Sequence, residues 1–371
     1  MSSDDTKIKR VFILGAGFSK QAGMPLATDL MDHMHRKFQK QKGDDALKWL
    51  GFLQERIAWL EGGNSYKINI EEIFDFAWFD IEAFKMKQQS CQVGREDGDT
   101  PQQDAESRLN WLNWMEYYLV DVIWEEQKKS EKKLHLIDKF STHLGPDDAV
   151  ITFNYDTLLE ESLEKQKKKW WYGFKKKEDF GLKILKMHGS INWAMVPRKL
   201  QGNFDYPLLF EKENKNVEDH GAEEPDEIEY KYVLFRIPDK CLSNRIENRK
   251  LQEDSKLPFI AIAGLGKYKP LSNLVGSYEV WNNAIGALRN CDEIYIVGFS
   301  LSPFDNMARL YFGDAMMERF KREDIKLPKV TLIDPNACGV KDNFKSVFGG
   351  QNAIDLIQKQ AEEVDWGGLL S

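Results

Sequence analysis

His188 is the residue whose type and position are best suited to proton transfer. It directly follows the apolar segment Leu182–Met187, which predicts a short strand, and Gly189 comes after it. An imidazole titrates near neutral pH and can therefore act as a general base. The other histidines lack this strand-end setting and are expected at the surface or in the core. We therefore predict a catalytic role for His188, the alternative being a histidine satisfied within the core.

A second pair of polar residues, Asn154 and Asp156, follows the apolar run Ala149–Phe153. Such a run is typical of a strand that is buried on both faces. An asparagine amide is uncharged, so Asn154 can orient a hydroxyl group or a water molecule but cannot take up a proton. Asp156 either orients these groups or caps the helix that is predicted from Thr157 onwards.

A strand, a glycine turn and a helix come early in the chain. Arg10–Leu14 predicts a buried strand, Gly15 and Gly17 permit a tight turn close to an anion, and Leu26–Phe38 has helical spacing. The pattern predicts a nucleotide phosphate site or, alternatively, a packing turn between strand and helix. A hydride-transfer dinucleotide site is excluded, because Lys20 stands where its third glycine should be and no acidic ribose anchor follows.

Two later strands end in similar residues. Glu293–Val297 leads into Gly298 and Ser300, and Val330–Ile333 leads into Asp334. In an open parallel sheet, ligands bind just beyond the carboxyl ends of the strands. These strand ends and the histidine together predict one crevice for a large, polar, phosphate-bearing ligand.

The alternation of strands and helices predicts an α/β fold with a Rossmann-like parallel sheet, helices on both of its faces and a helical module formed by insertions. We expect the nucleotide-binding core over residues 1–42, 148–193 and 258–371. Residues 43–147 form a helical insertion. Residues 194–257 form a second insertion, in which the acidic run Glu218–Glu229 is expected to be a mobile loop.

Local signals within and beside the insertions can also be interpreted. Asn69 with Glu72 resembles a capping box that opens a helix through Phe84. The polar segment Gly94–Asp104 predicts an exposed loop. Phe259–Ala263 has the composition of a further strand.

The composition of the 371-residue chain is that of an ordinary soluble globular protein, with 42% hydrophobic and 30% charged residues. A formal net charge of −8 disfavours broad or sequence-specific nucleic-acid binding. No apolar run reaches the ~18 residues of a membrane span. The polar segment Met1–Lys9 lacks the apolar core of a secretory signal, so we expect a cytoplasmic protein.

The cysteines are scattered along the sequence, at Cys91, Cys241, Cys291 and Cys338. None of them forms a Cys-x-x-Cys pair, so a zinc ribbon is not expected. The pattern suits reduced thiols in a cytosol.

Two features are candidates for protein contacts. The basic and aromatic run Lys165–Trp171, with Lys175–Lys177, is either a solvated helix end and hairpin tip or a patch for an acidic partner. The aromatic residues of the helical insertion predict a homo-oligomer, unless all of them are internal. These residues are Trp49, Trp59, Trp78, Trp111, Trp114 and Trp124.

Several motifs resemble those of a known family. Gly-Ala-Gly-Phe-Ser…Ala-Gly-Met-Pro, Thr-Phe-Asn-Tyr-Asp, His-Gly-Ser and Val-Gly-Phe-Ser-Leu occur in the order found in sirtuin-like (silent information regulator) proteins. The resemblance covers residues 8–42, 148–193 and 258–345, and it looks closest to the bacterial sirtuin-like NAD⁺-cleaving proteins of antiphage defence.

The resemblance implies roles for individual residues. Asn154 and Asp156 fall on the asparagine and aspartate of the sirtuin Gln-Asn-x-Asp motif, and His188 falls on its catalytic histidine. The residues implied to bind NAD⁺ are Gly15, Ala16, Gly17, Phe18 and Ser19 at the phosphates, with Asp156, Gly298, Ser300 and Asp334 completing the site.

Two departures separate the chain from protein-deacylating sirtuins. Those proteins continue from the glycine loop into Pro-Asp-Phe-Arg, whereas this chain has Pro25-Leu-Ala-Thr28 and lacks that arginine. They also carry a four-cysteine zinc module after His-Gly, where this chain has only Cys241. A deacylase is therefore disfavoured and no zinc is expected.

The implied activity is hydrolysis of NAD⁺ to ADP-ribose and nicotinamide, by an antiphage effector that depletes NAD⁺. Asn154 would position the ribose or the water, and His188 would take a proton. Both are expected at an exposed crevice, so that replacing them leaves folding intact. The alternatives are a non-catalytic sensor of NAD⁺ or ADP-ribose that controls a partner, or, less favoured, a deacylase or ADP-ribosyltransferase.

The resemblance also implies a separately encoded partner, such as a HerA-type ATPase or an Argonaute-type protein. The chain has no Gly-x-x-x-x-Gly-Lys-Ser/Thr motif, so any ATPase must act in trans.

Overall fold

The computed structural model describes residues 8–41, 44–60, 68–90, 101–173, 181–197, 208–212, 230–235, 257–260, 275–302, 305–322, 326–348 and 353–371. Its strands are β1 Arg10–Leu14, β2 Asp148–Thr152, β3 Trp170–Trp171, β4 Leu182–Lys186, β5 Gly189–Pro197, β6 Leu208–Lys212, β7 Tyr230–Phe235, β8 Leu257–Ile260, β9 Glu293–Val297, β10 Lys329–Ile333 and β11 Ile354–Ile357.

Seven of these strands form one parallel sheet in the order β11-β10-β9-β1-β2-β4-β3. This confirms the predicted α/β fold with a Rossmann-like sheet. All five residues of β1 and of β2 are buried, as expected for strands that are covered on both faces. The chain starts in the middle of the sheet, fills one side first and then returns to place β9 beside β1. Adjacent strands whose connections leave in opposite directions open a crevice at their carboxyl ends.

The helices are α1 Ala16–Lys20, α2 Ala27–Gln41, α3 Asp44–Leu60, α4 Ile70–Ser90, α5 Pro101–Ser130, α6 Leu134–Ser141, α7 Leu158–Lys165, α8 Val275–Asn290, α9 Asn306–Phe320, α10 Ala337–Phe348 and α11 Trp366–Leu370. Short 3₁₀ turns occur at Glu131–Lys133 and Ala361–Glu363. None of the described helices has the length and low charge needed to cross a membrane.

The capping box predicted at the start of α4 is confirmed. The Asn69 N–H donates to the Glu72 carboxylate at 2.7 Å, and the Asn69 side chain accepts from the Glu71 N–H at 3.0 Å. The loop predicted over Gly94–Asp104 is wrong for its last four residues, because α5 begins at Pro101. Proline is favoured at the first helical position, where no N–H is needed. Residues 94–100 lie outside the described part of the chain.

α6 packs on the parallel sheet, although it lies within the segment 43–147. The Phe140 ring meets Phe12 of β1 at 5.2 Å and Phe18 at 5.0 Å, both edge to face. In contrast, α2 packs against α4 and α5 of the helical insertion.

The second insertion contributes strands among its described residues. β5 to β8 form an antiparallel sheet in the order β6-β7-β5-β8. The strand predicted over Phe259–Ala263 corresponds in part to β8, which belongs to this sheet and not to the parallel one. The acidic run Glu218–Glu229 lies outside the described residues.

The tryptophans of the helical insertion occupy different environments. Trp49 and Trp124 are buried, whereas Trp59 is 81% exposed. The Trp49 ring contacts Trp111 at 5.5 Å. The surface expected for self-association is therefore partly internal, and the homo-oligomer stays a prediction.

The basic run at the end of α7 binds the end of α6. Lys165 pairs with Asp138 at 2.5 Å. The Lys168 ammonium donates to three backbone carbonyls, those of Ser141, Thr142 and Leu144, at 2.8, 2.6 and 2.7 Å. These contacts favour the interpretation as a helix end, because cations are stabilised where helix carbonyls lack partners. Residues 175–177 lie outside the described range.

Candidate functional site

A cavity of about 590 Å³ lies at the carboxyl ends of the parallel strands, where β1 and β9 meet. We call it the strand-end cavity, and its volume is typical of sites for small molecules and cofactors. The predicted site residues that line it are Gly15, Ala16, Gly17, Ser19, Asn154, Asp156, His188, Gly298, Ser300 and Asp334. The helical insertion adds Asn69, Ile70, Glu71 and Ile123 to the wall.

Phe18 is the predicted site residue whose side chain points elsewhere. It is only 1% exposed, and its ring packs against Phe140 of α6. Phe18 therefore anchors the short helix α1 to the core, and only its backbone belongs to the glycine turn.

The glycines of the turn are required by the packing of two loops against each other. A Cβ on Gly15 would lie 2.6 Å from the Gly298 carbonyl oxygen, and one on Gly17 would lie 2.7 Å from the Gly298 Cα. The Gly15 N–H donates to Val297 at 3.1 Å and the Gly17 N–H to Gly298 at 2.9 Å. These two donors are thus used within the protein. Lys20, which also lines the cavity, brings positive charge to this wall.

Asn154 connects β2 to the glycine turn. Its Nδ2 donates to the Gly15 carbonyl at 2.9 Å and to Ser19 Oγ at 3.0 Å. Because a carbonyl can only accept, the amide nitrogen must face Gly15, and Oδ1 is the group that can accept from a ligand.

Asp156 starts α7 and also lines the cavity. Its Oδ1 accepts the Leu158 N–H at 3.2 Å, so it has the helix-starting role that the sequence left open. Its backbone carbonyl accepts from the buried ammonium of Lys186, which pairs with Glu160 at 3.0 Å. This buried ion pair holds the loop after β2 in place.

His188 and Asp305 form a buried pair in the cavity wall. His188 Nε2 lies 3.2 Å from Asp305 Oδ1, and the two side chains are 2% and 4% exposed. The imidazole packs edge-on against Phe153 at 5.0 Å and lies 6.0 Å from the Tyr155 ring. With its hydrogen on Nε2, a neutral imidazole keeps the lone pair on Nδ1. This geometry can provide a general base with an orienting carboxylate.

Sequence reasoning missed Asp305. The residue stands at the N-cap of α9, yet its side chain makes no capping hydrogen bond and reaches His188 instead. Aspartate at that position is ordinarily interpreted as a cap. The signal that could have found it is its place a few residues beyond the strand-end Gly298, at the same sheet edge as His188.

The burial of the candidate catalytic residues corrects the expectation of an exposed crevice. Asn154 is 9% exposed and His188 is 2% exposed. Both side chains make contacts within the cavity wall: the Asn154 amide donates to the Gly15 carbonyl, and the His188 imidazole contacts Asp305. Replacing either residue is therefore expected to affect the protein around it as well as the chemistry.

The loop after β9 has an uncommon backbone conformation. Leu301 has φ +52°, which is unusual for a bulky residue. Its carbonyl accepts from Arg309 of α9 at 2.7 Å, and the Ser300 carbonyl accepts from Asn343 of α10 at 2.8 Å. Such strain is found at functional sites when the surrounding structure enforces it.

Asp334, at the end of β10, also shapes a turn. Its Oδ1 accepts the Asn336 N–H at 2.7 Å, just before α10. Lys359 and Gln360 line the cavity beside it. This side of the cavity therefore carries both a carboxylate and an ammonium group.

The helical insertion reaches the site through Gln127 of α5. Its side chain accepts the Thr157 N–H at 2.9 Å and donates to Thr157 Oγ1 at 2.7 Å. It also donates to Glu161, whose pKa is raised to about 7 because burial disfavours the charged form. Helix α5 and the start of α7, directly after Asp156, are thus held together.

Within the described ranges, no three or more His, Cys, Asp or Glu side chains cluster in a way that could hold a metal ion. Cys291 is a buried free thiol whose pKa is raised to about 12 by burial, and Cys338 is an exposed free thiol. Cys91 and Cys241 lie outside the described residues.

A comparison with protein-family models matches residues 148–206 to a SIR2-like domain. The matched segment includes Asn154, Asp156 and His188. The match supports a SIR2-family protein. SIR2-like domains use NAD⁺, and the family is one of NAD-dependent enzymes. A search of curated proteins found no match.

Proposed function

We propose that this SIR2-like chain is an NAD⁺ hydrolase, which cleaves NAD⁺ to ADP-ribose and nicotinamide. The observation that carries the proposal is the buried His188–Asp305 pair in the wall of a cavity that also contains Asn154. An imidazole oriented by a carboxylate suits proton uptake from water or a ribose hydroxyl group.

The reaction consumes one water and releases ADP-ribose, nicotinamide and a proton. Cleavage of the nicotinamide–ribose bond develops positive charge on the ribose ring, and nicotinamide leaves as a neutral molecule. His188 would accept the proton from the attacking water or from a ribose hydroxyl, and Asp305 would stabilise the resulting imidazolium. Asn154 Oδ1 would accept a hydrogen bond from the water or a ribose hydroxyl, which holds it in line.

The charges of the cavity wall support a substrate with phosphate groups. Lys20 and Lys359 line the cavity on the sides of β1 and β10. The two ammonium groups can balance the negative charge of the pyrophosphate. The N–H groups of Gly15 and Gly17 are not available for this role, because they donate to the carbonyls of Val297 and Gly298.

We extend the proposal to the role of an NAD⁺-depleting antiphage effector that acts with a separately encoded partner, such as a HerA-type ATPase or an Argonaute-type protein. What supports this role is the motif resemblance described above. An NAD⁺ hydrolase without restraint would harm its own cell, so control by a partner or by self-assembly is expected.

Nicotinamide release from NAD⁺ by the purified chain tests the chemistry. His188→Gln keeps an N–H for Asp305 but cannot act as a base, and it should lower the rate by about 10²–10⁴-fold. His135→Gln, an exposed histidine of α6, is the matched control and should match the wild type. If His188→Gln stays folded and turns over at the wild-type rate, the proposed base is wrong.

Asn154→Ala should reduce turnover and also cost about 1–3 kcal/mol of stability, because the Gly15 carbonyl and Ser19 lose their donor. Its activity must therefore be measured well below its melting temperature. A chain that binds NAD⁺ tightly but releases no nicotinamide, alone or with its partner, would be the sensor instead. Release that depends on an acylated peptide or an acceptor protein would indicate the deacylase or the ADP-ribosyltransferase.

A further inference from the structure

The outer face of α9 carries large apolar side chains. Leu310 is 61% exposed, Met317 is 49% exposed and Phe320 is 67% exposed. The opposite face of the helix is already buried in the core, through Ala308, Phe312, Ala315, Met316 and Arg319. A helix at the surface of a monomer normally presents polar residues outwards, so this helix is apolar on both sides.

The spacing on this outer face is that of a helix–helix seam. Asn306, Leu310, Gly313, Met317 and Phe320 follow one another at intervals of four, three, four and three residues. The same alternation brings side chains to one stripe of a helix and is typical of paired helices. We call these five residues the α9 seam.

Gly313, at the centre of the seam, is not required by a close contact with any residue that the structure describes. A Cβ built on Gly313 would have no atom within 4 Å, in contrast to Gly15 and Gly17, where it would collide. Glycine in the middle of a helix costs about 0.5–1 kcal/mol relative to alanine. The missing side chain leaves room for another helix to approach closely at this point, as it would also at Gly51 and Gly286.

The seam is nearly symmetric about Gly313. Leu310 and Met317 lie three and four residues from it, and Asn306 and Phe320 lie seven residues from it on either side. Two copies of the helix that cross at Gly313 therefore bring Leu310 of each copy towards Met317 of the other. One surface that is complementary to itself is what a two-fold symmetric dimer requires.

The surroundings of the seam are compatible with a second copy. Glu318 and Arg289 form an exposed ion pair at 2.6 Å, and Lys321 lies beyond it, so the rim has both signs of charge. The exposed fractions of the three large side chains give an apolar patch on the order of 300 Å² per copy. A standard interface buries about 800 Å² per partner, usually an apolar centre within a polar rim, so the three side chains would supply the centre and the charged rim the remaining area.

We propose that the α9 seam is the contact surface for a second copy of this chain, with the two helices crossing at Gly313. This surface differs from the helical insertion, on which the tryptophans had suggested self-association. The first residue before α9 is Asp305, so the contact and the pair with His188 are joined by one helix.

Sedimentation velocity of the full chain at micromolar concentration tests the proposal without any assay of activity. The wild type should sediment as a dimer or a higher even-numbered assembly. Leu310→Glu and Met317→Glu should each weaken the α9 contact at least about 100-fold, since an unpaired charge would be buried, and should split a dimer into monomers or a higher assembly into smaller ones. Trp59→Glu, at a large apolar residue of α3 that is 81% exposed, is the control and should leave the assembly intact.

A wild-type monomer, or an assembly that survives both α9 substitutions, would overturn the proposal. Dissociation by Trp59→Glu alone would place the contact on the helical insertion instead. Circular dichroism of each variant separates loss of assembly from loss of folding.

A cysteine at the crossing point tests the geometry. Gly313→Cys in a Cys338→Ser background should form an intermolecular disulfide under mild oxidation, because a disulfide needs Cα atoms within about 7 Å. Cys338→Ser alone is the control and should stay uncrosslinked. If Gly313→Cys fails to crosslink in a dimer that depends on Leu310, the crossing at Gly313 is wrong.

Discussion

The two ends of the parallel sheet each contain a buried pair of charged or titratable side chains. At the amino ends of β1 and β2, Arg10 contacts Asp148 through two hydrogen bonds of 2.8 Å. At the carboxyl ends, His188 Nε2 lies 3.2 Å from Asp305 Oδ1. Burial is similar at both ends, so burial alone does not distinguish a structural pair from a functional one.

The neighbours of the two pairs make the difference. Arg10 also donates to the backbone carbonyls of Leu370 and His143, at 3.2 and 3.1 Å, and Asp148 accepts the Gly145 N–H at 2.8 Å. The hydrogen bond with Asp148 raises the pKa of Arg10. The pair at the other end lies in the wall of the strand-end cavity. A pair enclosed by main-chain groups serves stability, whereas a pair beside a cavity is available for chemistry.

The largest effect is expected from Arg10→Met. The change leaves the Asp148 carboxylate buried without its cation, which typically costs about 3–5 kcal/mol. Urea unfolding at pH 7 measures the loss, and nicotinamide release at a temperature where the variant stays folded should be within about twofold of wild type.

A double variant, Arg10→Met with Asp148→Asn, should recover part of the lost stability, because no charge is then left unpaired. A loss below about 1 kcal/mol for Arg10→Met, or a fall in activity that unfolding does not explain, would contradict the contrast between the two ends.

Asp305→Asn should lower activity and leave stability nearly unchanged, which is the opposite of the effect expected for Arg10→Met. An amide can occupy the same space but no longer stabilises an imidazolium, so turnover should fall by at least about 10-fold with little change in unfolding free energy. Steady-state nicotinamide release should show the loss in kcat more than in KM. Asp314→Asn on the same helix is the control, and equal rates for the two variants would remove Asp305 from the proposed mechanism.

The smallest effect concerns Glu161, which α5 covers next to the site. Its pKa is raised from 4.5 to about 7, so the folded state keeps a proton that the unfolded chain releases in this range. Stability should therefore fall as the pH rises from 4.5 to 7, by no more than about 3 kcal/mol. Glu161→Gln removes this loss. The unfolding free energy of the variant minus that of the wild type should therefore be larger at pH 8 than at pH 5.

Melting temperatures at the two pH values measure this difference, with the exposed Glu55→Gln as the control. A Glu161→Gln variant with the same pH dependence as wild type would show that Glu161 does not titrate in this range.

The central strands were predictable because burial on both faces makes them nearly continuous apolar runs. β1 and β9 were found over their whole lengths, and β2, β4 and β10 were placed to within a residue or so. The short edge strand β3 and β11 were missed, since a strand with partly exposed residues has a weaker pattern. The β5–β8 sheet was missed apart from part of β8, because its strands lie in or beside an insertion of mixed composition.

The candidate site was predictable where a residue follows a strand directly, as Asn154 and His188 do. It was not predictable where a helix or a distant loop completes the wall. Asp305 has the sequence position of a helix cap, and only the three-dimensional packing directs its side chain to His188. Glu71 and Ile123 come from the helical insertion, whose docking on the sheet no local pattern encodes.

The register of β1 has a consequence for the synthesis of the protein. Arg10 pairs with Asp148 on one side and with Glu293 on the other, so β1 must wait for its second neighbour until residues 293–297 have left the ribosome. At translation rates of about 5–20 residues per second, the wait is roughly 15 to 60 seconds. The packing of Gly15 against Gly298 belongs to the same late event. A nascent or truncated chain that ends before Gly298 therefore lacks the strand-end cavity, and the proposed catalysis can begin only after β9 has been made.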